Sequence, residues 1–175
     1  MIRQLGAALA SVVLGASVAA APGFTLSSTT FRDGASLPAS AIYDKGPCSG
    51  ANRSPQLAWS GAPKATRSFA LVVHDPDAPA PGGWYHWIVY NIPPATRRFE
   101  SAANVPKNEL GNTSYGETGY GGPCPPPGKP HHYRFTLYAL NVARLPGAAL
   151  TGPQLEARIR GHVLAQTRLT GLYRR

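Results

Sequence analysis

Hydrophobic residues in this chain come in short runs separated by glycine- and proline-rich stretches. Five runs, FTLSS (24–28), QLAWS (56–60), SFALVVH (68–74), HWIVYNI (86–92) and YRFTLYAL (133–140), have the length and alternation of β-strands. In the last, Tyr133, Phe135, Leu137 and Ala139 share one face, and Arg134, Thr136, Tyr138 and Leu140 the other. The run at 68–74 is apolar almost throughout, which predicts a central strand covered on both sides. One helix is expected, over TGPQLEARIRGHVLA (151–165). Thr151 is its N-cap candidate, Pro153 lies in the first turn, and Gln154 stands at capping-box spacing from Thr151. Leu155, Ile159 and His162 would share a helical face, and Gly161 would end or weaken the helix. Beyond it, Val163, Ala165, Thr167 and Leu169 alternate like a final strand.

Composition sharpens this picture. Glycine and proline fill 19 and 18 of the 175 positions, too many for a helical bundle, so the fold is expected to be mainly β with Pro/Gly-rich loops. No repeat or linker divides it, and 22–175 reads as one domain. The first 21 residues read as a signal peptide: Arg3 precedes an uncharged apolar run from Leu5 to Val18, and small residues at Ala19 to Ala21 offer a cleavage site. No other stretch is long and apolar enough to span a bilayer, so an exported protein, periplasmic or secreted and without stable membrane insertion, is expected. In an oxidising compartment Cys48 and Cys124 are disulfide candidates; two buried free thiols are the alternative. The formal charge of +9 is spread along the chain, and no basic run is interleaved with aromatics, which argues against a nucleic-acid partner.

Two stretches carry candidate chemistry. HDPDAPAPGGWYHW (74–87) presents Asp75 and Asp77 from a loop stiffened by Pro76 and Pro79, then Trp84 and His86 at a strand's opening. GGPCPPPGKPHHY (121–133) packs prolines ahead of His131, His132 and Tyr133. Taken singly, each aspartate could serve only loop amides and each histidine could be an ordinary half-buried side chain. Two proline-braced loops, both joined to strands and both carrying histidine, favour a preorganised site.

The DPDAP, GWYHW and GGPCPPPG segments, with CSGANRSPQLAW (48–59) and GNTSYG (111–116), resemble the phosphatidylethanolamine-binding protein family. Within it, they are similar to the bacterial Raf-kinase-inhibitor-like YbhB/YbcL branch. The resemblance runs from about residue 24 to the C-terminus. It implies a β-sandwich with a short C-terminal helix and an anion-binding cavity at one end. By that similarity Asp75, His86, His131 and Tyr133 are the cavity's polar residues, with Trp84, Cys124, Pro125 and Pro126 on its rim. Asp77 would organise the loop. The implied function is non-enzymatic binding of phosphate, phosphoethanolamine or a carboxylate, with no metal or cofactor. His131, His86 and Tyr133 would donate hydrogen bonds to the anion, and half-exposed histidines titrating near neutral pH would weaken binding as pH rises.

Two positions depart from the family pattern. His132 replaces a common arginine, which puts a neighbouring salt bridge in doubt, and His74 stands where the branch often has an acidic residue. Two other function classes remain open at this point. One is a hydrolase or metalloenzyme built on Asp75, His86 and His131. The other is an exported protease- or kinase-inhibitor-like protein with a vestigial pocket. A protein partner and a homodimer are likewise left open.

Overall fold

The structure, a computed structural model, describes residues 23–175, in which the alternating runs become strands of two antiparallel sheets. The smaller sheet contains β1 (Thr25–Ser27), β2 (Leu57–Ser60) and β5 (Arg98–Phe99), with β2 in the middle. The larger contains β3 (Ser68–Asp75), β4 (Trp84–Ile92), β6 (His131–Leu140) and β7 (Val163–Tyr173), in the order β4-β3-β6-β7. The apolar 68–74 run is thus an inner strand, hydrogen-bonded to β4 and β6.

Both faces of the larger sheet are covered, which is why β3 has almost no polar position. Against the smaller sheet's Leu26, Leu57 and Trp59 pack Phe69, Leu71, Val73, Phe135 and Leu137. On the opposite face, Ala70, Val72, Ile88, Tyr90 and Leu140 meet Leu145, Leu150 and the helix α1 (Gly152–Ile159). Leu155 and Ile159 are that helix's anchors, each burying apolar surface worth about 2 kcal/mol. The two faces of β6 divide as the alternation predicts: Tyr133, Phe135, Leu137 and Ala139 lie between the sheets, while Tyr138 and Leu140 join the helix side.

The helix starts as expected, with the Gln154 side chain accepting the Thr151 amide at 3.0 Å. It stops earlier than the apolar spacing suggests. Gly161 adopts φ +83°, the chain turns, and His162 leaves the helical face to hydrogen-bond Asn141 Oδ1 at 3.1 Å. Cys48 and Cys124 are joined in a disulfide, so the free-thiol alternative falls. No helix among the described residues is long and apolar enough to cross a membrane. The expected signal peptide lies outside the described residues.

Candidate functional site

Antiparallel pairing brings together residues far apart in the chain. The C-terminal end of β3 lies beside the N-terminal starts of both β4 and β6, pairing Asp75 with Trp84 and His74 with Arg134. One end of the larger sheet therefore collects Asp75, Trp84, His86, His131 and Tyr133. Together with Cys124, Pro125 and Pro126 they line a hollow of about 260 Å³, completed by Ala78, Pro79, Ala80 and Tyr115.

His86 reaches this hollow because β4 is bulged. Val73 pairs with Trp87 but His74 with Tyr85, leaving His86 as the extra residue. In a regular strand, consecutive side chains take opposite faces. Here Trp87 enters the intersheet core, 5.7 Å from Phe99, and His86 also lies on that side, its ring edge-on to Tyr133 at 5.1 Å and Tyr115 at 5.7 Å. Tyr85 takes the helix side, where its hydroxyl donates to Glu156 at 3.2 Å and its ring stacks on His74 at 4.4 Å.

Asp75 is 2 % exposed, yet both its oxygens are used. Oδ2 accepts from His131 Nδ1 at 2.7 Å, and Oδ1 accepts the Asp77 amide at 2.9 Å. The carboxylate thereby fixes the His131 ring and closes the turn that follows β3. Tyr133, buried beside it, has its hydroxyl pKa pushed well up by burial and by the Asp75 charge, and stays protonated. Tyr115 is likewise pushed up by burial and donates to the Gly122 carbonyl at 2.9 Å.

His86 differs from the sequence expectation. It is buried, not half-exposed, and burial pushes its pKa down to about 4 against weaker upward effects from the Gly121 carbonyl and Asp75. It does not titrate near neutral pH. Its ring hydrogen-bonds the Gly121 carbonyl through Nδ1 at 2.7 Å, which places the N–H there. Nε2 is buried without a partner, and the Trp84 indole Nε1 is buried beside Tyr115, the two rings edge-on at 5.3 Å. The N–H that the sequence reading assigned to a guest is therefore spent on the backbone.

Asp77 lies outside the hollow's lining. Its Oδ2 accepts the His132 amide at 2.8 Å and His132 Nδ1 at 2.7 Å. Partial burial opposes ionisation, but the bonds and charge of His132 hold the Asp77 carboxyl below its ordinary pKa. His132 does point away from the hollow, as the alternation predicts, yet it forms a histidine–aspartate pair where the salt bridge had been in doubt. His74 also stays outside, donating from Nε2 to the Gly82 carbonyl at 2.8 Å.

The proline lip is fastened from several sides. Gly121 donates its amide to the His86 carbonyl at 2.8 Å, and Gly122 to Asn52 Oδ1 at 2.7 Å. Cys48 holds Cys124, and Arg175 donates from Nε to the Pro125 carbonyl at 2.9 Å. A side chain on Gly122 would collide with the Ala41 carbonyl. Sequence reasoning missed Tyr115, Asn52 and Arg175. The first two stand in the GNTSYG and CSGANRSP segments, whose aromatic and amide residues were the available signal. Among the described residues, no group of three or more His, Cys, Asp or Glu side chains is arranged to hold a metal ion.

Comparison with known proteins places this geometry. The family model for phosphatidylethanolamine-binding protein matches residues 27–174. YbcL of Escherichia coli is 37% identical over 178 residues, covering 94% of this chain and 93% of YbcL. The crystal structure of E. coli YbcL, described as a member of the mammalian PEBP family, superposes with a TM-score of 0.83 at 34% identity, covering 87% of this chain and 99% of that one. LppC of Mycobacterium tuberculosis, named as a lipoprotein, is 43% identical over 157 residues, covering 88% of this chain and 74% of LppC.

Proposed function

The chain belongs to the phosphatidylethanolamine-binding protein family, in its YbhB/YbcL branch, and from that premise we propose that it is an exported, non-enzymatic receptor for a small anionic or phosphorylated group. The observation that carries this reading is the convergence of Asp75, His86, His131 and Tyr133 on one preformed hollow. His131 is pinned by Asp75 through Nδ1 so that its other nitrogen is left for a guest, and the Tyr133 hydroxyl, kept protonated beside the Asp75 carboxylate, lies in the same lining. When His131 is protonated, the Asp75 carboxylate supports an imidazolium that donates on both sides. Phosphate, phosphoethanolamine and carboxylates are the guests this chemistry suits.

A hydrolase reading is less well supported. Beside the Asp75–His131 pair the lining offers no serine hydroxyl, and Cys124 is consumed in its disulfide. Export is supported by that disulfide, by the N-terminal sequence and by the lipoprotein name of the mycobacterial relative. Modulation of a partner protein would be a consequence of guest binding. The test is a titration with phosphoethanolamine and inorganic phosphate followed by histidine and indole NMR. Saturable shifts of His86, His131 and the Trp84 N–H are expected; resonances that stay fixed at millimolar guest would overturn the proposal.

A further inference from the structure

We propose that the hollow takes an oxyanion carried on a short aliphatic chain, anion inward and hydrocarbon at the mouth, so that the carbons next to the anion are recognised with it. This rests on the anion-binding reading above and adds the chemical class of the group to which the anion is attached. Burial is graded along the lining. The polar residues Asp75, His86 and Tyr133 are 2 %, 2 % and 1 % exposed and form the inner end. Pro79 and Pro126 are exposed and form the mouth, with Ala78 and Ala80 half-buried beside them. Polar side chains are therefore deep in the hollow, and carbon-rich ones are shallow.

The mouth has little polarity to offer a guest. Alanine and proline side chains make no hydrogen bond, and proline lacks a backbone N–H. Much of the backbone there is already engaged. The Ala78 carbonyl accepts the Ala80 amide at 2.8 Å, the Ala80 carbonyl accepts the Gly83 amide at 2.9 Å, and the Pro125 carbonyl accepts Arg175 Nε at 2.9 Å. Volume sets the chain length. The hollow measures about 260 Å³. An apolar cavity of about 150 Å³ holds one benzene, so at that density the hollow holds roughly ten non-hydrogen atoms. A phosphate group takes about half of them, which leaves room for about five carbons. Phosphate alone would leave water against proline and alanine carbon. An alkyl arm displaces that water, with a gain of roughly two- to fourfold in affinity per methylene, the upper figure applying to one fully removed from water. The proline-braced loops hold the walls in place before the guest arrives, so little entropy offsets this gain. The same chemistry belongs to a water-soluble phosphate ester and to the head of a long-chain lipid phosphate, and chain length separates the two.

The experiment is calorimetry at one pH with inorganic phosphate and with methyl, propyl, pentyl, octyl and decyl phosphate, each kept below its micelle concentration, alongside methyl NMR of the alanines. Pentyl phosphate is expected to bind at least about tenfold more tightly than methyl phosphate. The Ala78 and Ala80 methyl resonances should shift further with the pentyl ester than with the methyl ester. A gain that stops near pentyl assigns a water-soluble ester as guest, and one that continues to decyl assigns a lipid whose chain runs out past the mouth; both results support the aliphatic subsite. Methyl and pentyl phosphate within about twofold of each other, or alanine methyls that respond alike to both, would overturn this inference and leave the anion receptor intact. Failure of every ester and of inorganic phosphate to bind at millimolar concentration would overturn the receptor reading and this inference with it.

Discussion

Acidification should destabilise this fold through His86. In the unfolded chain the ring titrates near its ordinary value of about 6.5; in the folded protein burial pushes it down to about 4. Between those values the unfolded state binds a proton that the folded state refuses, so stability rises with pH across the window. The contribution is fully present above about pH 6.5 and is lost as pH falls through about 4. Integrated over the shift, His86 alone removes about 2 kcal/mol of stability by pH 5 and about 3 kcal/mol by pH 4. The assay is urea unfolding at half-unit steps from pH 7.5 to 4, on the native sequence and on His86→Gln, which cannot titrate. Carboxylates and the other histidines contribute to both curves and cancel in the difference. A pH slope shared by the two proteins, or an NMR midpoint for His86 above about 6, would refute the reasoning.

Two further outcomes are expected from the groups that shape the hollow. Replacing Cys48 and Cys124 together by serine frees a loop of 76-residue separation and should lower stability by about 4 kcal/mol, read by urea unfolding; a loss under about 1 kcal/mol would contradict the loop-closure account. Asp75→Ala strands the His131 N–H and the Asp77 amide and should cost about 2–4 kcal/mol, whereas Asp77→Ala, which breaks a half-exposed pair, should cost about 1 kcal/mol or less. The reverse order in denaturant midpoints would mean that the buried pair is not the structural one.

Strand identity and sidedness were legible in the sequence where a single physical rule governed them. The alternation in 133–140 assigns its apolar side chains to the correct faces because β6 is regular from Arg134 to Ala139 against both neighbours. The same rule misleads at His86. Alternation puts His86 and Trp87 on opposite faces, and only the register shift against β3 brings both to the intersheet side. Nothing in WYHW marks a bulge, since no glycine or proline interrupts it. The burial of His86 was equally hidden, because it depends on Tyr115 and Gly121, which the 111–122 loop folds back against the edge of β4. The helix end was read from Gly161, while His162 was misplaced by continuing a 3.6-residue period past that glycine.

The proline lip shows why composition pointed to a site without revealing how it is held. Prolines reduce the conformations open to 123–127 but supply no N–H of their own, so they cannot fasten the segment to the sheet. The fastenings come from elsewhere: the Asn52 amide oxygen on Gly122, Cys48 on Cys124 and the Arg175 guanidinium on Pro125. Asn52 takes a left-handed φ of +49°, a conformation that asparagine tolerates better than most residues. Stiffness and attachment act on different terms. Stiffness limits the entropy lost when a guest is gripped, whereas attachment sets where the grip lies relative to His86 and His131. Loosening an attachment should therefore leave the lip rigid but misplaced, weakening binding through geometry while the prolines remain unchanged.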